Sequence, residues 1–128
     1  MRFFSFFIIF MFLFSFVSFA QPPVVVYKNE ACGHCNMYLA NFRLFLKEKG
    51  ITSYEERMVI NNPSIREELN RFNKDRSIPI TMQGHMVVSM GNLVLEGHVP
   101  LDMLEELMKK YPDGNYPKAV IYQDYMLE

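Results

Sequence analysis

The chain has only two cysteines in 128 residues. Any disulfide or thiolate chemistry must therefore use one short segment, Cys32-Gly33-His34-Cys35. Basic excess is also missing. Thirteen Lys and Arg face fourteen Asp and Glu, for a formal net charge of -1. Nothing in that balance argues for a nucleic-acid partner. Internal repeats and low-complexity tracts are absent from the part after residue 20, and the length suits one domain.

Half of the residues are apolar, but much of that excess lies in MRFFSFFIIFMFLFSFVSFA, residues 1–20. Arg2 is a minimal positive start, Phe3 to Val17 an apolar stretch, and Ser18-Phe19-Ala20 a small-residue cleavage pattern. The segment is expected to be a secretory signal peptide, the alternative being an uncleaved N-terminal membrane anchor. No cysteine follows the cleavage pattern directly, so a lipoprotein is not expected. The domain is thus expected outside the cytosol: periplasmic, secreted or lumenal, touching a membrane only if residues 1–20 stay attached. An isolated cysteine pair can cycle between thiol and disulfide there.

Three segments are expected: residues 1–20 as signal or anchor, 21–111 as the domain, and 112–128 as a tail packed on it. Val24-Val25-Val26-Tyr27 reads as a strand buried on both faces. After the cysteines, Tyr38, Leu39, Phe42, Phe45 and Leu46 mark one face of a helix, with Gly50 as its C′ residue. Tyr54, Glu56, Met58 and Ile60 alternate with their neighbours as a second strand. Ser64 and Glu67 fit a capping box that opens a helix with Ile65, Leu69 and Phe72 on one face. Ile78 to Met82 reads as a strand that opens at a proline, with Gly84 bulging the segment His85 to Val88. Gly91-Asn92 is a turn, and Leu93 to Leu95 returns as the second arm of a hairpin. Leu101, Leu104, Leu107 and Met108 define a last helix, and Lys118 to Tyr122 reads as a further strand. The order β-α-β-α-β-β-α predicts an α/β fold, a mixed central sheet flanked by helices.

Two cysteines separated by two residues at a helix N-terminus bring their sulfurs within bonding reach. Unpaired backbone N–H groups there point at the first sulfur and favour its thiolate. A protonated His34 would add to that effect, and a stabilised thiolate makes the pair a better oxidant. Cys32 is thus expected as the attacking thiol and Cys35 as the buried resolving thiol, with Gly33 and His34 tuning the pair. Two other readings stay open. The motif is also half of a metal site, a carrier holding Cu(I) or Zn(II) through Cys32, Cys35 and His34. Or it is a structural bond, although one closing so small a loop removes little unfolded-state entropy. The placement between a buried strand and an amphipathic helix favours the redox reading.

With VVVYKNEACGHC, SIP at residues 77–79 and NLVLEGHVP before the last helix, the chain resembles the thioredoxin-like superfamily. Its tetrapeptide is that of protein disulfide isomerases, and its compact order is similar to that of glutaredoxins. The resemblance covers roughly residues 22–111. It implies thiol–disulfide exchange with protein thiols and disulfides, a redox partner protein and no cofactor beyond the dithiol; a monomer is expected. It implies further that Pro79 is a cis-proline facing the dithiol and that Ile78 offers its backbone to substrate. Ala31 and Val26 depart from the pattern: they stand where relatives carry a tryptophan and a buried proton-relaying acid. Glu30 or Glu56 is the expected substitute for that acid. GHVPLD and the offset Lys28 do not match the glutathione-gripping residues of glutaredoxins.

The remaining histidines, His85 and His98, are expected to be ordinary loop or surface residues. The many methionines, Met86 and Met90 among them, read as core filling, with copper binding beside His85 as the alternative.

Overall fold

The computed structural model describes residues 21–122. The expected signal or anchor segment, 1–20, lies outside the described residues. Its elements are β1 (Val24–Lys28), α1 (Gly33–Glu48), β2 (Tyr54–Met58), α2 (Pro63–Asp75), β3 (Met86–Met90), β4 (Leu93–Glu96), α3 (Leu101–Lys110) and β5 (Ala119–Tyr122). The five strands form one mixed sheet in the order β2-β1-β3-β4-β5. β1 runs parallel to β2 and antiparallel to β3, β3 and β4 form the hairpin, and β5 runs parallel to β4. This is the α/β, thioredoxin-like architecture expected from the sequence.

Alternation along the strands sorts the core onto two faces. Val24, Val26, Met86, Val88, Met90, Leu93 and Leu95 join Leu39, Phe42, Phe45 and Leu46 of α1 and Leu104 of α3 in one buried cluster. Full burial of a side chain such as Phe42 stabilises by roughly 1.5–3 kcal/mol. The other face buries Tyr27, Ile78, Val87 and Val94 against Ile65, Leu69 and Phe72 of α2. β1 is an interior strand covered on both faces, which explains its unbroken apolar run. Met86 and Met90 point into the core and His85 is exposed, so these three do not gather as a metal group.

Three local expectations are corrected. Asn62, not Ser64, caps α2: its side chain accepts from the Ile65 N–H at 3.3 Å, and Pro63 takes the first helical turn. Proline suits that turn because the missing N–H would be unpaired there anyway. Ile78 to Met82 does not form a strand. Residues Ile80–Met82 form a short 3-10 turn, closed by Met82 N–H to Pro79 C=O at 2.9 Å. Ile80 is 85% exposed, so strand pairing there would bury nothing. The third strand begins at Met86 instead. Finally, no peptide bond among the described residues is cis, Pro79 included. Pro79 has an extended backbone, with φ -60° and ψ 146°, and leads into the turn.

Beyond residue 111 the chain continues into the sheet. β5 adds a fifth strand beside β4, and Tyr116 is buried against the main core. The Tyr116 hydroxyl donates to the Gln21 side chain at 3.0 Å, so the tail also fastens the start of the domain.

Candidate active site around Cys32 and Cys35

The loop after β1 is held before it delivers the cysteines. Asn29 N–H donates to His85 C=O at 3.1 Å, and Asn29 C=O accepts from Cys32 N–H at 3.1 Å. Glu30 accepts from the Ile60 N–H at 2.9 Å, which holds its carboxyl below the usual range. Glu56 pairs with Arg43 at 2.9 Å. Both carboxylates are thus engaged away from Cys35.

Cys32 caps α1. Its sulfur accepts from the Cys35 N–H at 3.3 Å, the contact expected at a helix N-terminus. The two cysteines are joined by a disulfide, with Cα atoms 5.3 Å apart. Cys32 is half-buried; Cys35 is 1% exposed. The two cysteines thus differ in their access to solvent. Gly33 is exposed, and nothing lies within 4 Å of where a Cβ would sit. His34 is exposed on the first turn.

The residue that meets Cys35 is His98. Its Nε2 lies 3.3 Å from the Cys35 sulfur. The ring stacks on Tyr38, with centroids 5.0 Å apart and planes 8° from parallel. The Tyr38 hydroxyl in turn donates to Val99 C=O at 2.5 Å. One helix residue therefore positions both the imidazole and the loop that carries it. Burial lowers the His98 pKa, and the nearby charge of His34 lowers it further, so the neutral ring is favoured. His98 is thus not an ordinary surface histidine. No sequence signal marks it, since a lone histidine just after a strand carries no period.

Ile78 and Pro79 lead into the 3-10 turn between α2 and β3. The Ile78 side chain is buried in the α2-face cluster. Its N–H donates to Asn73 C=O at 2.9 Å, and its C=O accepts from Gln83 at 3.1 Å. Pro79 is exposed.

The sulfurs of Cys32 and Cys35 and a ring nitrogen of His98 all lie within 4.8 Å of one another, the reach of one metal ion. Among the described residues this is the one group of that kind, and His34 is not part of it.

The sequence model of the glutaredoxin family matches residues 24–87, which hold β1, the dithiol, α1, β2 and α2. The chain belongs to the glutaredoxin family. A glutaredoxin domain with a bonded cysteine pair supports thiol–disulfide redox activity in general. No curated protein matches the chain. Among solved structures, two forms of a copper resistance protein, copG, are similar. Form 1 is 13% identical at a TM-score of 0.46, covering 70% of this chain and 62% of that one. Form 2 is 16% identical at 0.46, covering 69% and 62%. The alignments thus span less than two thirds of those chains.

Proposed function

We propose that this glutaredoxin-family domain exchanges disulfides with protein thiols outside the cytosol. The observation that carries the reading is the pair itself: a half-exposed sulfur at a helix N-cap bonded to a buried one in the first turn. In the reducing direction, the Cys32 thiolate attacks one sulfur of a substrate disulfide, and the other sulfur leaves as a thiolate and takes a proton. Cys35 gives up its proton and attacks Cys32 in the resulting mixed disulfide. The substrate's second thiol is released and the Cys32–Cys35 bond closes. Oxidation of a substrate is the same sequence reversed, and the partner's potential sets the direction.

The Cys35 N–H supports the Cys32 thiolate. His98 stands beside the resolving sulfur, so the proton leaving Cys35 has an acceptor within hydrogen-bond distance. It fills the role expected of Glu30 or Glu56. Export on residues 1–20, the monomeric state and substrate contact at Ile78-Pro79 belong to the same proposal. A substrate strand at Ile78 must displace its two present hydrogen bonds.

The test is turnover of a model disulfide protein by the purified chain. Cys32→Ser is expected to abolish turnover, and Cys35→Ser to accumulate a mixed disulfide seen by mass spectrometry. Undiminished turnover in Cys32→Ser overturns the reading. His34→Pro is expected to make the reduction potential more negative; an unchanged potential removes His34 from redox tuning.

A further inference from the structure

Opening the disulfide turns three converging side chains into a set of soft donors. A cation bound to a thiolate at ~2.3 Å and an imidazole at ~2.0–2.1 Å holds those two atoms roughly 3.5 Å apart. His98 Nε2 and the Cys35 sulfur already stand 3.3 Å apart. One edge of a coordination site therefore exists before any metal arrives. The imidazole is held there by stacking on Tyr38, and its loop is held by the Gly97 N–H donating to Met86 C=O at 2.9 Å. The second sulfur sits on the helix cap, within the same 4.8 Å group. Little rearrangement is needed beyond parting the sulfurs.

We propose that the reduced protein binds one thiophilic closed-shell cation, Cu(I) or Zn(II), through Cys32, Cys35 and His98, and that closing the disulfide abolishes the site. Two thiolates and one imidazole suit either ion. Three donors complete a Cu(I) site, whereas Zn(II) keeps a fourth position for water or an incoming ligand. Binding displaces one proton from each thiol. When a protein disulfide oxidises the two thiolates, the Cys32–Cys35 bond forms, two electrons pass to the substrate sulfurs, and the cation is released. Occupancy and the oxidised state exclude each other. The sulfurs are shared with the proposed exchange reaction, but metal binding does not require turnover. The third ligand is His98, not the His34 expected from the motif.

The test titrates the full chain, reduced and metal-free under anaerobic conditions, with Zn(II) and separately with Cu(I). One equivalent of at least one ion is expected to bind the reduced protein and none the oxidised protein. His98→Gln should weaken binding by about tenfold or more, since even groups behind a ligand are worth roughly 10–100-fold. His85→Gln, at an exposed imidazole outside the group, should leave affinity unchanged. Far-UV circular dichroism checks that both variants fold. Cobalt(II) in place of zinc should give thiolate charge-transfer bands whose ligand-field pattern changes in His98→Gln. Equal affinity of wild type and His98→Gln, equal binding by the oxidised protein, or no binding of either ion overturns the proposal. Metal binding without turnover would overturn the exchange reading and leave this one standing.

Discussion

On one face of the sheet, Val24, Val26, Val88, Leu93 and Leu95 meet α1 and α3 with carbon alone. On the other, Tyr27, Arg57, Glu68 and Glu96 bring polar and charged groups into the layer around α2. The Tyr27 hydroxyl donates to Glu68 at 2.6 Å, and Arg57 pairs with Glu68 and reaches the same hydroxyl at 3.2 Å. Glu96 is completely buried, with one oxygen accepting from the Gly84 N–H at 3.1 Å and the other without a hydrogen-bond partner among the described residues. The dithiol sits on the apolar face, where Cys35 belongs to the main core. The difference teaches where rigidity resides. The face that must hold the sulfurs and His98 is packed mainly with apolar side chains, while the buried Glu96 carboxyl and the Tyr27–Arg57–Glu68 cluster lie on the other side of the strands.

The largest test of that contrast is a pair of truncations. Phe42→Ala, on the packed face, should lose about 3–5 kcal/mol in denaturant unfolding. Phe72→Ala, on the half-covered face, should lose about 1–2 kcal/mol. Equal losses would break the comparison.

Glu96→Gln comes next. Burial pushes the Glu96 carboxyl from 4.5 up to about 7, while the Gly84 N–H pulls it down less strongly. The folded state thus favours the protonated acid. Its contribution is fully present below pH 4.5 and is lost as the pH rises through 7. At pH 8 the glutamine variant should be more stable than wild type by roughly 2–3 kcal/mol. Its stability should also be flatter between those two pH values. A variant with the wild-type pH slope would show that Glu96 does not titrate on folding.

The smallest effect is expected from Tyr27→Phe, about 1 kcal/mol, the net worth of an ordinary hydrogen bond. Arg57 and Glu68 still pair with each other in that variant. A loss as large as that of Phe42→Ala would mean that the polar cluster, not apolar packing, holds α2.

The sequence showed most of this fold because its periodicities were strong. Leu39, Phe42 and Leu46 could only be one face of a helix, and Val24 to Tyr27 could only be a doubly covered strand. Ile80 to Met82 misled because β-branched residues resemble a strand. What decided there was tertiary: with Ile80 facing solvent, only the hydrogen bonds of a turn were left to make. The cap of α2 was misplaced because two adjacent signals, Asn62-Pro63 and Ser64 with Glu67, compete, and the proline settles which comes first. The cysteines were legible from spacing alone. His98 was not, because a lone histidine in a loop carries no period, and its meaning comes from Tyr38 and Cys35 across the fold.

That distance has a consequence in time. His98 follows Cys35 by 63 positions, so during synthesis the dithiol emerges well ahead of its imidazole. A chain released or cleaved before residue 98 would still contain two sulfurs able to pair, since their spacing is local. It would lack the group that faces the second one. Sulfur chemistry can therefore begin on an unfinished molecule, whereas the complete centre exists only once the β3–β4 hairpin has docked against β1.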